Sequence, residues 1–239
     1  MTFALTDLEN PLIKNGMMVQ LAKRRERIAA GEKPLGWKVG LGAPAIMQKL
    51  GHAGPMVGFL MQRGLLLSGS TVSFAGWTKP VAEIEICVRM ARDLPGKAER
   101  ETVIAAIKEI LPAIELADFE PPPTPENIGV VLTGDLYARH VVLCGNTRAG
   151  AGVDGLTSRL IRRGAEAAST TDPEALTGKL VDIVGHVASI LDACGERLRA
   201  GDVIITGSIT PPLMLEPDET GLAHVLDPIG EVEVSFTHD

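Results

Sequence analysis

The chain has 239 residues and a net charge of -7, with no basic block anywhere along it, which argues against a nucleic-acid or anionic-membrane partner. Apolar residues make up 45%, enough for a sizeable core, but aromatics are only 3%, so that core is aliphatic and nucleobase stacking is unexpected. No stretch reaches the length of a membrane span, and the three cysteines, Cys87, Cys144 and Cys194, are too far apart to read as a zinc site or a disulfide framework.

The first residues, Met1-Thr2-Phe3-Ala4-Leu5, meet Asp7 and Glu9 at once, with no basic segment and no apolar run of the kind a secretory signal needs. Buried thiols and that start together predict a cytoplasmic protein. Asn10 to Ala30 reads as a helix, with Met17, Met18, Leu21 and Ala22 near one face and Lys23, Arg24, Arg25 and Arg27 toward the C-terminal end, where cations suit the helix dipole. Gly31 fits its C-terminal cap.

Gly36 to Gly42 reads as a short strand bracketed by glycines, with Lys38 its lone charge. Local sequence leaves two readings of Lys38: an exposed edge lysine, or a cation facing acidic groups or an anionic ligand. Ala45 to Leu50 predicts one or two helical turns, Gly54 to Leu60 a loop punctuated by glycine and proline, and Leu65 to Phe74 short strands.

Val81-Ala82-Glu83-Ile84-Glu85-Ile86-Cys87-Val88 predicts a largely buried strand. Alternation puts Glu83 and Glu85 on one face, ~7 Å apart, and Ala82, Ile84 and Ile86 on the other. Two carboxylates on a buried face repel and are each desolvated. A third lone acid, Glu115, stands in the apolar run Leu111 to Ala117. If the two segments pack together, three carboxylates converge on hard oxygen ligands for Mg²⁺ or Mn²⁺. The alternative is a solvated face of an antiparallel sheet.

Ala98 to Leu111 shows helical spacing through Val103, Ile104, Ile107 and Ile110. Pro121 to Pro125 predicts a stiff surface loop. Ile128 to Leu132 and His140 to Leu143 read as strands. Gly150-Ala151-Gly152-Val153-Asp154-Gly155 matches a dinucleotide fingerprint only formally, since no helix opens at Leu156 and residues 162–166 read as a hairpin turn. Leu180 to Cys194 is the clearest amphipathic helix, Gly201 to Ser208 a buried strand ending in Thr206-Gly207-Ser208, and Ala223 to Leu226 and Glu231 to Phe236 two last strands. There is no internal repeat.

Gly36-Trp37-Lys38-Val39-Gly40, Glu83-Ile84-Glu85, Pro112-Ala113-Ile114-Glu115 and Gly201 to Gly207 occur in an order and spacing that resemble the 2-keto-4-pentenoate hydratase/4-oxalocrotonate decarboxylase family of the fumarylacetoacetate hydrolase superfamily. The likeness runs over nearly the whole chain. It implies an α+β fold with a mixed-β core and flanking helices, similar to the fumarylacetoacetate hydrolase C-terminal domain. It implies one such domain over 1–239 with a helical N-terminal part at about 1–35, and homo-oligomers. It further implies Mg²⁺ or Mn²⁺ held by Glu83, Glu85 and Glu115, Lys38 near the substrate, and Thr206, Gly207 and Ser208 close to the substrate carboxylate. The chain departs from the family at Pro55-Met56-Val57-Gly58, where members resemble Pro-Asp-Phe-Gly. It departs again at Thr133-Gly134-Asp135-Leu136-Tyr137, where Asp135 partly replaces the family's acidic segment.

The implied activity is a metal-dependent lyase acting on a small anionic 2-oxo or 2-hydroxydienoic acid, hydration of 2-hydroxypenta-2,4-dienoate first. The alternatives are decarboxylation of a 4-oxalocrotonate-type acid, another C–C hydrolase or tautomerase, and a catalytically silent 2-oxo-acid-binding oligomer. Lys38 is expected to move protons, since burial lowers a lysine's basicity. Asp135 is a further catalytic candidate, and Tyr137, the only tyrosine, and His140 are weaker ones. His52, His186 and His224 are expected outside the site.

Overall fold

The computed structural model describes residues 5–238, so Met1 to Ala4 of the start read above lie outside the described residues. Strands run β1 Pro34–Gly40, β2 Met56–Met61, β3 Leu65–Leu67, β4 Ser70–Ser73, β5 Pro80–Met90, β6 Ile107–Asp118 and β7 Ala138–Leu143. They continue with β8 Arg148–Ala149, β9 Thr157–Arg162, β10 Ala165–Thr170, β11 Val203–Ser208, β12 Leu213–Met214, β13 Gly221–Asp227 and β14 Gly230–Thr237. The helices are α1 Pro11–Ala29, α2 Pro44–Leu50, α3 Arg100–Ala106, α4 Ile128–Thr133 and α5 Leu180–Ala193. None of them is long and apolar enough to cross a membrane.

The larger sheet has the order β2-β1-β11-β5-β6-β7-β3, with β12 beside β5 and β8 beside β6. Strand β1 is parallel to β11 and β3 to β7, while β5 is antiparallel to both β11 and β6, so the sheet is mixed. It rolls until β2 approaches β7, with Phe59 to Met61 and Ala138 to Val141 lining one cleft between them. A smaller sheet, β10-β9-β13-β14-β4, packs on its outside. This is the α+β, mixed-β architecture the sequence predicts.

Alternation sorts the side chains. Ala82, Ile84, Ile86 and Val88 of β5, with Ile110, Ile114 and Leu116 of β6, face outward into the main core, shared with α5 and with Leu160, Leu226 and Val234 of the smaller sheet. The opposite parity faces the inside of the roll: Cys87, Leu111, Ala113, Val141, Val203 and Ile205 pack there as a second cluster. All three cysteines are free thiols.

Four local expectations are corrected. Residues predicted as a loop at 54–60 form β2 from Met56 onward, because every side chain from Met56 to Met61 is buried beside β1. The helix predicted from Ala98 to Leu111 stops at Ala106, and Ile107 onward joins the long strand β6, where pairing with β5 overrides the helical spacing. The strand predicted at Ile128 to Leu132 is the helix α4. It lies against α1 at a glycine crossing: a Cβ added to Gly16 would stand 2.7 Å from the Gly129 carbonyl oxygen. Lys38 is no edge lysine either. It is 2% exposed, on a strand flanked by β2 and β11.

Candidate metal and substrate site

The site is the charged continuation of the roll's interior face. Glu83 and Glu85 follow Cys87 in alternation along β5, and Glu115 follows Leu111 and Ala113 along β6. The register sets Glu83 directly across from Glu115. Like charges so placed destabilise a sheet unless something offsets them. One oxygen from each of the three carboxylates lies within 4.8 Å of the others. Glu85 and Glu115 are each 1% exposed, and the half-buried Glu83 opens on a cavity.

Strand β1 adds the one cation. Lys38 Nζ ion-pairs with Glu115 Oε1 and donates to the Leu136 carbonyl at 3.0 Å. Its stem needs Gly58 across the ladder, because a Cβ there would stand 2.8 Å from Lys38 Cγ and 2.9 Å from Asp135 Oδ1. Asp135, Leu136 and Tyr137 carry three successive positive φ angles of 60, 51 and 67°, a conformation that costs L-residues ~1–2 kcal/mol each. That strain turns the Leu136 carbonyl onto Lys38.

Fully ionised, the cluster would hold three negative charges and one positive charge. Burial, then Glu115, pushes the Glu83 carboxyl up to about 7 against the pull of Lys38. Burial, Glu115 and Glu83 hold Glu85 well above the usual range, despite a 2.6 Å hydrogen bond from the Gly207 N–H. Burial raises Glu115 as well, with Lys38 opposing it. Lys38 departs from expectation. Burial does oppose its charge, but Glu115, Glu83 and Asp135 outweigh that and hold it above the ordinary lysine value. It is therefore a protonated ammonium, not a lysine of weakened basicity. With Glu85 ionised, the buried Glu115 Oε2 has no hydrogen-bond partner. Excess carboxylate, all-oxygen donors and an unused buried lone pair fit a hard divalent cation.

The cavity in front of the cluster holds about 450 Å³. Lys38, Glu83, Thr206, Gly207 and Ser208 line its inner end. Thr206, Gly207 and Ser208, which the resemblance sets close to the substrate carboxylate, line the cavity with their donors engaged inside the protein. Thr206 Oγ1 donates to the Ile86 carbonyl at 2.9 Å, Ser208 Oγ to that of Thr210 at 2.7 Å, and the Gly207 N–H is taken by Glu85. They form the wall and fix Glu85.

Asp135 is near the cluster but does not line the main cavity. Its Oδ1 sits behind Gly58, accepting from the Phe59 N–H at 2.8 Å and Gln20 Nε2 at 3.0 Å. Burial pushes it up to about 7 against the Phe59 hydrogen bond and Lys38. It stands beside the Lys38 stem, behind Gly58 and outside the cavity lining. Tyr137 does line the cavity, yet its hydroxyl donates to the Pro121 carbonyl at 2.6 Å, and burial with Glu120 pushes it up to about 12. His140 stacks on Trp77 away from the cavity. His52, His186 and His224 bond the carbonyls of Gly54, Pro55 and Ala113 and are not among the residues that line the cavity.

Sequence reasoning missed Gly58, the Leu136 carbonyl and the apolar walls at Ile46, Leu50 and Leu176. Only Leu136 had a local signal, the Gly134-Asp135 turn pair.

No family model matches the chain. It is 26% identical over 233 residues to a 2-keto-4-pentenoate hydratase of Paraburkholderia xenovorans, covering 94% of this chain and 84% of that protein. It is 26% identical over 203 residues to a 4-oxalocrotonate decarboxylase of Pseudomonas putida, covering 84% and 77%. Among solved structures, the 4-oxalocrotonate decarboxylase of Pseudomonas putida G7, complexed with magnesium and adipate, superposes with a TM-score of 0.86 at 25% identity, over 99% of this chain and 90% of that one. A fumarylpyruvate hydrolase from Pseudomonas aeruginosa, with Mn²⁺ and pyruvate, shares the fold at a TM-score of 0.64 and 15% identity, over 87% and 90%. Sequence and fold agree: the chain is similar along most of its length to 2-keto-4-pentenoate hydratases and to a 4-oxalocrotonate decarboxylase, and it shares that decarboxylase's fold.

Proposed function

We propose that the chain is a divalent-metal-dependent lyase of 2-hydroxydienoic acids, with hydration of the parent 2-hydroxypenta-2,4-dienoate as its reaction. The observation that carries this reading is the trio Glu83, Glu85 and Glu115, gathered beside Lys38 at the closed end of a cavity. Glu83, Glu85 and Glu115 would hold Mg²⁺ or Mn²⁺. A divalent ion bound there supplies Lewis-acid stabilisation of negative charge at the C2 oxygen of a 2-oxo acid.

The chemistry asks for two proton movements. The enol O–H proton leaves oxygen and a proton is added at C5, giving 2-oxopent-3-enoate. Water then adds across C3=C4, its oxygen to C4 and a proton to C3, giving 4-hydroxy-2-oxopentanoate. Lys38 is the proton-bearing group at the inner end. Its ammonium has three N–H donors and spends two on Glu115 and Leu136, leaving one for a ligand in the cavity it lines. Asp135 and Gly58 hold its stem in place. Lys38, Glu85 and Glu115 are almost fully buried, which strengthens the charge interactions among them.

The decarboxylase relative, similar over nearly all of both chains, supports a second reading in which the same site releases CO₂ from a 2-oxo-3-enedioate. A homo-oligomer and a cytoplasmic location complete the proposal, on the resemblance and the free thiols. Loss of the ultraviolet absorbance of 2-hydroxypenta-2,4-dienoate, dependent on Mg²⁺ or Mn²⁺, tests the hydratase. CO₂ release from 4-oxalocrotonate without hydratase turnover replaces it with the decarboxylase. No turnover of either acid, alongside tight binding of pyruvate, leaves a silent binding protein.

A further inference from the structure

We propose that, of the acids this site takes, it binds most tightly longer homologues of the parent dienoate, which carry an uncharged apolar group, alkyl or aryl, of about five carbons or more beyond the 2-oxo acid head. The inference rests on the lyase reading and names the tail that the site accepts. Size comes first. Cavities of ~300–1,000 Å³ enclose drug-sized ligands. At about 450 Å³ this one far exceeds the needs of an acid with eight non-hydrogen atoms.

The walls come next. Besides Lys38, Glu83 and the Thr206 to Ser208 wall, the lining is mostly apolar, with Leu41, Ile46, Leu50, Phe119, Leu136 and Leu176, and its other uncharged polar side chains are Tyr137, Thr177 and Thr210. Two proline pairs, at 122–123 and 211–212, complete the wall, and proline has no backbone N–H to offer. A tail passing between them meets few donors and much apolar surface. Leu176, 37% exposed, is one of the large apolar side chains left facing solvent.

One feature favours a different tail. Lys49, in the last turn of α2, is the single charged lining residue besides Lys38 and Glu83, and a second carboxylate could pair with it. Magnitudes decide against this. Lys49 is exposed, and an exposed ion pair changes affinity by only about fivefold at most. Burying each methylene is worth about fourfold, and the cavity accommodates several.

Calorimetric titration of the Mn²⁺-loaded protein with pyruvate, 2-oxooctanoate and 2-oxooctanedioate tests the proposal with ligands that do not turn over. The expected result is 2-oxooctanoate at least about thirtyfold tighter than pyruvate, and tighter than the diacid. In Leu176→Asp, on the cavity rim where a charge does not disturb the core, the ratio of 2-oxooctanoate to pyruvate affinity should fall about tenfold. Equal affinities for pyruvate and 2-oxooctanoate overturn the proposal. So does a diacid that binds tightest and loses its advantage in Lys49→Ala. If none of the three acids binds, the lyase reading fails and takes this one with it, an outcome distinct from pyruvate binding without a preference for the tail.

Discussion

The inside of the rolled sheet has two ends built from the same strands, and they obey opposite rules. At one end Cys87, Leu111, Ala113, Val203 and Ile205 fill the roll as an ordinary apolar core. Two or four residues further along β5 and β6, on the same face, stand Glu85, Glu83 and Glu115. The first end lowers free energy by burying hydrocarbon. The second raises it by burying charge that one lysine cannot balance. The contrast teaches that the strands are a scaffold indifferent to what they carry, and that the acidic end has a cost the apolar end offsets, a cost the proposed cation and ligand would account for.

That contrast can be broken at either end. At the charged end, Glu83→Gln should abolish divalent-metal binding and lower turnover by ~10³-fold or more, measured by calorimetry and by dienoate absorbance. Unchanged metal affinity would count heavily against the site. Lys38→Ala should lower kcat by ~10²–10⁴-fold with the metal still bound, since it removes the proton-bearing group and none of the ligands. Full activity in this variant would return Lys38 to a purely structural place. At the apolar end, Leu111→Ala should cost ~2–5 kcal/mol in denaturant unfolding, because Leu111 is fully buried, while leaving metal affinity unchanged. A large loss of metal affinity there would mean that the two ends are not separable.

The smallest effect sharpens the boundary behind the site. Asp135 is held up to about 7 in the folded chain by burial, whereas an unfolded aspartate titrates near ~4. Between those values the folded chain binds the extra proton, so the contribution of Asp135 to stability falls as pH rises through that window and is level above it. The wild-type minus Asp135→Asn difference in Tm should therefore decline by a few degrees from pH ~4 to pH ~7 in metal-free protein. A difference independent of pH would mean that Asp135 titrates as an ordinary surface acid.

The three acids were legible because each is a lone charge in an apolar run, a local signal that survives without knowledge of pairing. Strand β5 and helices α1 and α5 were legible for the same reason, their period being written in consecutive residues. Lys38 was only half legible. Its burial depends on β2 and β11, which come from distant segments, and its raised basicity depends on acids from β5, β6 and the Asp135 turn. Helix α4 was illegible, since Ile128-Gly129-Val130-Val131-Leu132 has the composition of a strand and becomes helical where Gly129 meets Gly16 across the chain. The spent hydroxyls of Thr206 and Ser208 could not be foreseen either, because their acceptors, Ile86 and Thr210, are set by tertiary turns.

The central claim is that Glu83, Glu85 and Glu115 form one cation site. Its most direct test is Mn²⁺ titration of the metal-free protein, followed by electron paramagnetic resonance, beside Glu115→Gln. The account predicts one bound Mn²⁺ per chain in the wild type and none at the same concentration in the variant. Equal binding by the two proteins, or no binding by the wild type, contradicts it.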